Sequence, residues 1–327
     1  MTVTADLLVA AAFAFAFSIG AHYTGACMGM PYAAGAIRPW HALLLMAPLA
    51  LVGAALASGQ VEATVGHGIL GGGTVALGVA LAIVVSALVL TSAYNLVTIP
   101  TSTIQILVFS AVGAGLAAGL PIQWSTIGTL VILWATAPFA AFALGFVFVR
   151  LADRARPPVP SSRIGPGSKV LGRAAALGLV GVGAAASFAM GANDVSNASG
   201  ALIMTGLFGL LVAGLIGGLG IALGVLTWGR PLLQRVAFDL VELDPRMATA
   251  SQLAQSTVIL VSVAFGLFTS MNQALVGAMI GAGVARRRST VLWKAIRSIL
   301  LGWGAGPVSG AALGFGLVWA FTRFHLV

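Results

Sequence analysis

One carboxylate, Asp194, stands in the polar segment GANDVSNASG (191–200), inside an otherwise apolar stretch of the chain. The amides of Asn193 and Asn197 and the hydroxyl of Ser196 flank it, whereas the other acidic residues fall near the ends of apolar stretches. An ionised carboxylate in an apolar environment needs a cation, a proton or a dense shell of hydrogen bonds. We therefore predict a coupling site at these four residues. The site would bind Na⁺ through the oxygens of Asp194, Asn193 and Asn197, or H⁺ if Asp194 titrates. The structural alternative is a protonated Asp194 that only forms a hydrogen bond between helices.

Two further segments, PTSTIQ (100–105) and FTSMNQ (268–273), place hydroxyls and amides just before glycine-containing apolar helices. Free N–H groups and the partial positive charge of a helix N-terminus bind oxyanions without Lys or Arg. The side chains predicted to surround an anion are Thr101, Ser102, Thr103, Gln105, Thr269, Ser270, Asn272 and Gln273. Ordinary N-capping by Ser is the alternative interpretation.

The composition indicates a polytopic membrane protein. Of 327 residues, 59% are hydrophobic and only 7% are charged, against about 25% charged in soluble domains. Gly, Asn, Asp and Ser also favour helix interruption, so we expect unwound backbone at GANDVSNASG (191–200), with its carbonyls in the cation site. The sequence has no HExxH motif, no acidic cluster with metal spacing and no soluble output domain. It therefore predicts neither an enzyme nor a sensor, and no cofactor beyond the coupling ion.

The apolar stretches predict ten membrane crossings, two of them interrupted. They are 5–35, 39–57, 72–95, 99–120, 125–149, 171–198, 201–228, 248–266, 269–285 and 291–321. With both termini outside, 15 of the 16 Lys and Arg lie on the inner side, and only Arg323 lies outside. The net charge of +9 thus follows the positive-inside rule in a plasma or inner membrane, rather than indicating a nucleic-acid partner.

The two halves of the chain repeat each other. The matched segments are FSIGAHYTGACMG (17–29) with FAMGANDVSNASG (188–200), 100–116 with 268–284, and WATAPFAAFALG (134–145) with WGAGPVSGAALG (303–314). Since each half has an odd number of crossings, the halves must lie in opposite orientations. We predict an all-α polytopic membrane protein with two inverted repeats of about five crossings each and broken or re-entrant helices. The repeats would be 1–149 and 171–327, joined by a cytoplasmic linker, 150–170.

At these motifs the chain resembles the inorganic phosphate transporter (PiT) family. GANDVSNASG is similar to that family's Gly-Ala-Asn-Asp signature, and the Thr-Ser segments are similar to its Pro-Val-Ser-Thr-Thr-His segment. The resemblance implies a secondary active transporter that uses Na⁺ or H⁺ to carry an inorganic tetrahedral oxyanion. It also implies an oligomer, such as a homodimer, in the lipid bilayer. An anion channel is the alternative from another class, because two broken helices can also line a pore.

The first half departs from the family pattern, since His22 and Tyr23 stand where the signature has Asn and Asp. The loss of one acid removes an acceptor that could bind the proton of hydrogen phosphate, while sulfate needs only donors. The segment around MGMPY (28–32) is also similar to the sulfate permease branch. These points favour sulfate slightly over phosphate. We expect His22 and Tyr23 to contact the anion, but His22 could instead couple protons or be a neutral structural residue.

Overall fold

The computed structural model describes residues 2–97, 99, 101–155, 171–236, 244–286 and 293–324. Over this part of the chain the fold is helical. The helices are α1 (Val3–His22), α2 (Thr24–Ala33), α3 (Pro39–Ala57), α4 (Gly59–His67), α5 (Leu77–Leu96), α6 (Thr103–Ala117), α7 (Trp124–Ala155), α8 (Arg173–Asp194), α9 (Ser196–Ile203), α10 (Leu210–Val236), α11 (Pro245–Ala264), α12 (Met271–Ala285) and α13 (Trp293–Arg323).

Eight segments of the described chain are long and apolar enough to cross a membrane, which corrects the prediction of ten crossings. The two others, α6 and α12, have 15 residues each. At 1.5 Å per residue such a helix extends only about 22 Å, short of a hydrocarbon core about 30 Å thick. The sequence did not distinguish these two helices from full crossings, because their apolar character is the same and only their length differs.

Two of the eight spans are broken, at positions that correspond between the two halves. The first break lies at Tyr23, between α1 and α2, and the second at Val195, between α8 and α9. Each break is one residue long, so most of GANDVSNASG (191–200) is helical, and the predicted unwound segment is wrong in its extent. The interruption is local because Ser196 Oγ donates to the Asn193 carbonyl within the turn instead of opening it.

The packing of the helices repeats as the sequence does. In the first half α1 packs on α5 and α5 on α6, and in the second half α8 packs on α11 and α11 on α12. Each short helix then packs against the long last helix of the opposite half: α6 lies on α13, and α12 lies on α7. The two halves are therefore interlocked, and every polar segment singled out from the sequence lies at one of these contacts.

Glycines allow the backbones of these interlocked pairs to approach closely. A Cβ atom on Gly113 of α6 would lie 2.0 Å from the carbonyl oxygen of Ala311 on α13. A Cβ atom on Gly281 of α12, the corresponding residue, would lie 2.0 Å from the carbonyl oxygen of Phe142 on α7. Small residues at such contacts are typical of helix pairs in membranes, where packing replaces the hydrophobic effect.

Three local features differ from the predictions. The short helix α4 was not predicted, and its Glu62 is buried, although its position in the sequence suggested a loop. Helix α7 continues to Ala155, into the predicted linker, and α8 begins at Arg173. The rest of that linker, 156–170, lies outside the described residues.

Candidate functional site

The two helix breaks meet the starts of the two short helices in the centre of the protein. Thr101 and Ser102 precede α6 and form what we call the first tip; Thr269 and Ser270 precede α12 and form the second tip. The two tips belong to one cluster, because Asn272 donates a hydrogen bond from Nδ2 to the Thr101 carbonyl at 2.8 Å. The cluster contains every residue predicted for the anion and cation sites, and all of them are buried.

Asp194 is surrounded by hydrogen-bond donors. Asn193 Nδ2 donates to Asp194 Oδ2 at 3.0 Å, and Asn197 Nδ2 approaches Oδ1 at 3.4 Å. Tyr23, from the other helix break, lies close to the carboxylate. The Tyr23 hydroxyl lies 2.9 Å from Thr103 Oγ1, which in turn accepts from Asn197 Nδ2 at 3.2 Å. The ring of contacts thus joins the carboxylate of the second half to the hydroxyls of the first.

Two buried oxygens beside this ring have no hydrogen-bond partner within the described residues: Asn197 Oδ1 and Thr269 Oγ1. Buried polar atoms in folded proteins are normally paired, so such atoms indicate a ligand or a bound water. Asn193 differs from Asn197, because its Oδ1 accepts from the Thr269 N–H at 3.1 Å and its Nδ2 donates to the Thr269 carbonyl at 2.9 Å. Asn193 therefore positions the second tip, and the free oxygens are those of Asn197 and Thr269.

His22 holds the first tip in the same way. Its Nε2 lies 3.3 Å from the Thr101 backbone nitrogen and 3.2 Å from the Thr101 carbonyl oxygen. His22 and Asn193 occupy corresponding positions in the repeat, at an offset of 171 residues. An imidazole in the first half thus replaces an amide in the second, and each one fixes the backbone in front of a short helix.

The partner of the other ring nitrogen assigns the tautomer of His22. His22 Nδ1 lies 2.5 Å from Asn95 Oδ1, and the Asn95 amide is oriented because its Nδ2 donates to the Ser18 carbonyl at 2.9 Å. Nδ1 must therefore carry the hydrogen, and Nε2 of the neutral ring accepts from the Thr101 N–H and from Asn272 Nδ2. Neutral His22 is fully paired, which favours a structural role.

The seryl hydroxyls cap the two short helices. Ser102 Oγ accepts from the Gln105 N–H and Ser270 Oγ accepts from the Gln273 N–H, each at 3.4 Å. The N-capping interpretation therefore holds for both residues. It leaves anion binding open, because a cap uses a lone pair of the hydroxyl oxygen while its hydrogen can still be donated.

Gln105 and Gln273 face each other across the centre of the cluster. Each Nε2 donates to the Oε1 of the other residue, at 3.4 and 3.3 Å. Because both residues lie in the first turn of a short helix, the contact shows that the N-termini of α6 and α12 converge. Each amide nitrogen keeps a second hydrogen, so the arrangement offers donors from two helix starts to one location without a Lys or Arg side chain.

Two residues that contribute to the site were not predicted from the sequence. Asn95 orients His22, and the signal for it was an amide near the end of an apolar span, where an unpaired polar group is costly. Glu62 accepts a hydrogen bond from Ser199 Oγ at 2.6 Å and so contacts the helix that carries Asn197. No pattern in the sequence indicated this contact, because the two residues are far apart in the chain.

Comparison with known proteins agrees with this geometry. The sequence profile of the phosphate transporter family matches residues 19–314. Sulfate permease CysP of Bacillus subtilis (strain 168) is 28% identical over 311 residues, which cover 94% of this chain and 86% of that protein. A protein of Mycobacterium bovis named "Probable low-affinity inorganic phosphate transporter" is 29% identical over 349 aligned positions. The alignment covers 96% of this chain and 81% of that protein.

The fold matches a solved structure, that of the sodium-dependent phosphate transporter, with a TM-score of 0.88 and 21% sequence identity. The match covers 98% of this chain and 100% of that one. The family profile spans both helix breaks, both short helices and most of α13. The chain therefore belongs to the phosphate transporter (PiT) family, and it is a multi-pass integral membrane transporter and not an enzyme, as its sequence predicts.

Proposed function

We propose that this protein is a cation-coupled symporter of an inorganic tetrahedral oxyanion, with sulfate as its first substrate. The observation that carries the proposal is the convergence of two helix N-termini beside one buried carboxylate. The helix starts supply donors and partial positive charge for the anion, and Asp194 supplies the negative charge for a cation. Since no Lys or Arg belongs to the described cluster, the cation also balances the charge of the anion.

The coupling ion in this proposal is Na⁺ at Asp194. The oxygens available to it are the carboxylate and the two unpartnered atoms, Asn197 Oδ1 and Thr269 Oγ1. Hard cations prefer such carboxylate, amide and hydroxyl oxygens. Asn193 and Ser196 then serve to position the site: Ser196 Oγ donates to the Asn193 carbonyl at 2.8 Å, and Asn193 in turn fixes Thr269. Proton binding by Asp194 is the alternative.

The anion in this proposal lies between the starts of α6 and α12. Its donors are the first backbone N–H groups of the two helices, the hydroxyls of Ser102 and Ser270, and the second hydrogens of Gln105 and Gln273. Asn272 joins the tips from one side. Thr101 and Thr103 line the same region, and both are buried.

The donors favour sulfate over hydrogen phosphate. Hydrogen phosphate carries a proton that needs an acceptor, and in this proposal the two unpartnered oxygens of the cluster, Asn197 Oδ1 and Thr269 Oγ1, bind the cation instead. The Asp194 carboxylate accepts from Asn193 and Asn197 and also holds the cation in this proposal. The two glutamine oxygens accept from each other's amides. A match to a sulfate permease over most of the chain supports the same choice; phosphate is the second candidate, because another relative of similar identity is named for it.

The transport cycle proposed here is alternating access. The positive-inside rule and the duplicated packing favour two repeats in opposite orientations. Although α5 and α11 are long enough to cross the membrane, in this proposal each forms a re-entrant pair with the short helix that follows it. Each half then keeps three full crossings, an odd number, and its orientation is opposite to that of the other half. The pair α5 and α6 would enter from the outside, and the pair α11 and α12 from the inside. Both tips would reach the membrane midplane. Rocking of one pair against the long helix of the other half would expose the cluster to each side in turn.

Uptake into proteoliposomes tests the proposal. Labelled sulfate and labelled phosphate are each offered under an inward Na⁺ gradient, an inward H⁺ gradient and no gradient. We expect saturable sulfate uptake driven by Na⁺ that resists excess phosphate. Preferred uptake of phosphate would assign the second substrate. Flux that neither saturates nor follows a cation gradient would contradict symport and indicate a channel.

A further inference from the structure

Glu62 is the second buried carboxylate among the described residues that has no cationic partner. It lies on α4, which is not one of the candidate spans, and its side chain lines a cavity of about 210 Å³ between α3 and the start of α10. The residue is only 2% exposed. Gly214 of α10 leaves room for it, because a Cβ there would lie 2.9 Å from Glu62 Oε1.

Within the part of the chain that the structure describes, the surroundings of Glu62 supply hydroxyls but no positive charge. The elements packed on α4 are α9, α10, α3 and α11. Helix α9 carries no titratable side chain, and His41 of α3, Arg230 of α10 and Arg246 of α11 lie near the opposite ends of their helices. On α4 itself the other titratable side chain is His67, which is exposed. Burial raises the pKa of Glu62, while the hydrogen bond that Ser199 donates to it lowers the pKa in part.

Ser199 connects this carboxylate to the second helix break. Its hydroxyl has one hydrogen and two acceptors: Glu62 Oε1 at 2.6 Å and the Val195 carbonyl at 3.0 Å. Val195 is the residue that separates α8 from α9. When Glu62 is ionised, Ser199 donates to the carboxylate. When Glu62 is protonated, its own O–H can donate to Ser199 Oγ, and the Ser199 hydrogen is then free for Val195.

We propose that Glu62 is a proton-binding site separate from the Asp194 centre, and that its protonation changes the hydrogen bonding of Ser199 and thereby the helix break at Val195. The proton enters from the cavity and binds the carboxylate. The Ser199 hydrogen then adds a bond to the first turn of α9. That turn also carries Asn197, which donates to Asp194.

The chemistry of the cavity favours a proton over a metal cation. Besides Glu62, its polar side chains are limited to Ser58, whose hydroxyl already donates to the Ala54 carbonyl at 2.5 Å. The rest of the lining is Ala, Leu and Gly. A sodium or calcium ion needs several oxygens at once, whereas a proton needs one carboxylate and one acceptor.

Infrared difference spectroscopy of the reconstituted full-length protein tests this proposal without any transport assay. We expect a protonated-carboxyl band that grows as the pH falls from neutral. The band should be lost in Glu62→Gln, which keeps the oxygen that accepts from Ser199, and retained in Asp194→Asn. An unchanged titration in Glu62→Gln would overturn the proposal, whether or not the protein carries sulfate.

Ser199→Ala provides the second readout, and it also serves if Glu62→Gln does not fold. Removing the hydroxyl takes away both the donor to the ionised form and the acceptor for the protonated form, so the frequency of the Glu62 band should shift. Ser58→Ala is the matched control, since it leaves the link to Val195 intact and should disturb the band less. A band that is insensitive to Ser199→Ala would overturn the transmission to the helix break.

Discussion

At the scale of single residues, positions that correspond between the two halves of the site hold different side chains with different roles. Asp194 of the second half corresponds to Tyr23 of the first, at an offset of 171 residues. The tyrosine does not replace the lost acid; its hydroxyl bonds Thr103 and lies close to the acid that remains. One carboxylate with a phenolic donor thus stands where the family pattern has two acids.

Tyr23→Phe tests this division of labour. The change removes the hydroxyl beside Asp194 and leaves Thr103 Oγ1 with one partner fewer; a neutral buried hydrogen bond contributes about 0.5–1.5 kcal/mol. We expect a clear fall in the thermal unfolding midpoint of the purified protein. Tyr94→Phe, on α5 and only partly buried, is the control; equal losses in the two variants would show that the Tyr23 hydroxyl has no special role.

His22 is the second residue whose role the structure sharpens. Since neutral His22 is fully paired and corresponds to Asn193, we expect His22→Asn to keep more uptake than His22→Ala. The alanine variant leaves Asn95 Oδ1 buried and unpaired, at a cost of about 1–3 kcal/mol. The pH profile of uptake should keep its shape in His22→Asn. A flattened profile would instead make His22 a proton-coupling group.

The residue types of the site could be predicted from the sequence, but their pairing could not. Asp194 and the Thr-Ser segments stood out because polar residues in apolar spans are costly. The bond between His22 and Asn95 joins residues 73 positions apart, and the bond between Ser199 and Glu62 joins residues 137 positions apart. Such contacts depend on how helices pack, which a single sequence does not specify.

At the scale of helices, close packing of α6 on α13 and of α12 on α7 holds the two tips in place. The bounds of a helix were predictable where polar residues flank its apolar stretch. Helix α3 was predicted correctly at Pro39–Ala57, because Arg38 precedes it and Ser58 follows it. The short lengths of α6 and α12 were not predicted, because the stretches taken as crossings, 99–120 and 269–285, included the polar tips. The break at Val195 was expected, but its restriction to one residue was not.

Gly113→Ala and Gly281→Ala test the importance of this packing. Each new methyl group would lie 2.0 Å from a carbonyl oxygen of the facing helix, so the pair must separate. We expect both variants to lower thermal stability and uptake. Gly128→Ala on α7 is the matched control, because nothing lies within 4 Å of its Cβ position; it should behave as the unmodified protein. Unaffected Gly113 and Gly281 variants would contradict tight packing at these helices.

At the scale of the whole molecule, the orientation in the membrane follows from charge and stays a prediction. The duplicated packing agrees with the repeat found in the sequence, and the overall fold was predictable because three matched segments recur in the same order in both halves. The number of full crossings was not, since two helices are short. The oligomeric state also stays a prediction from the resemblance to the family.

Cysteine labelling at the two ends of α7 tests the orientation. The native Cys27 is buried, so it should not react in the folded protein. Ser125→Cys and Ala155→Cys each place a thiol at an exposed end of the same helix. In intact cells we expect a membrane-impermeant maleimide to label Ser125→Cys, and to label Ala155→Cys only after permeabilisation. The reverse pattern would contradict the positive-inside assignment.

The most direct test of the central claim is the flux of the cation itself. Radioactive Na⁺ uptake into proteoliposomes is measured with and without external sulfate, for the unmodified protein and for Asp194→Asn, with Asp6→Asn near the N-terminus as the control. If Asp194 holds the coupling ion, sulfate will stimulate Na⁺ entry in the unmodified protein and in Asp6→Asn, and the stimulation will vanish in Asp194→Asn. Sulfate-stimulated Na⁺ entry that persists in Asp194→Asn would contradict the account.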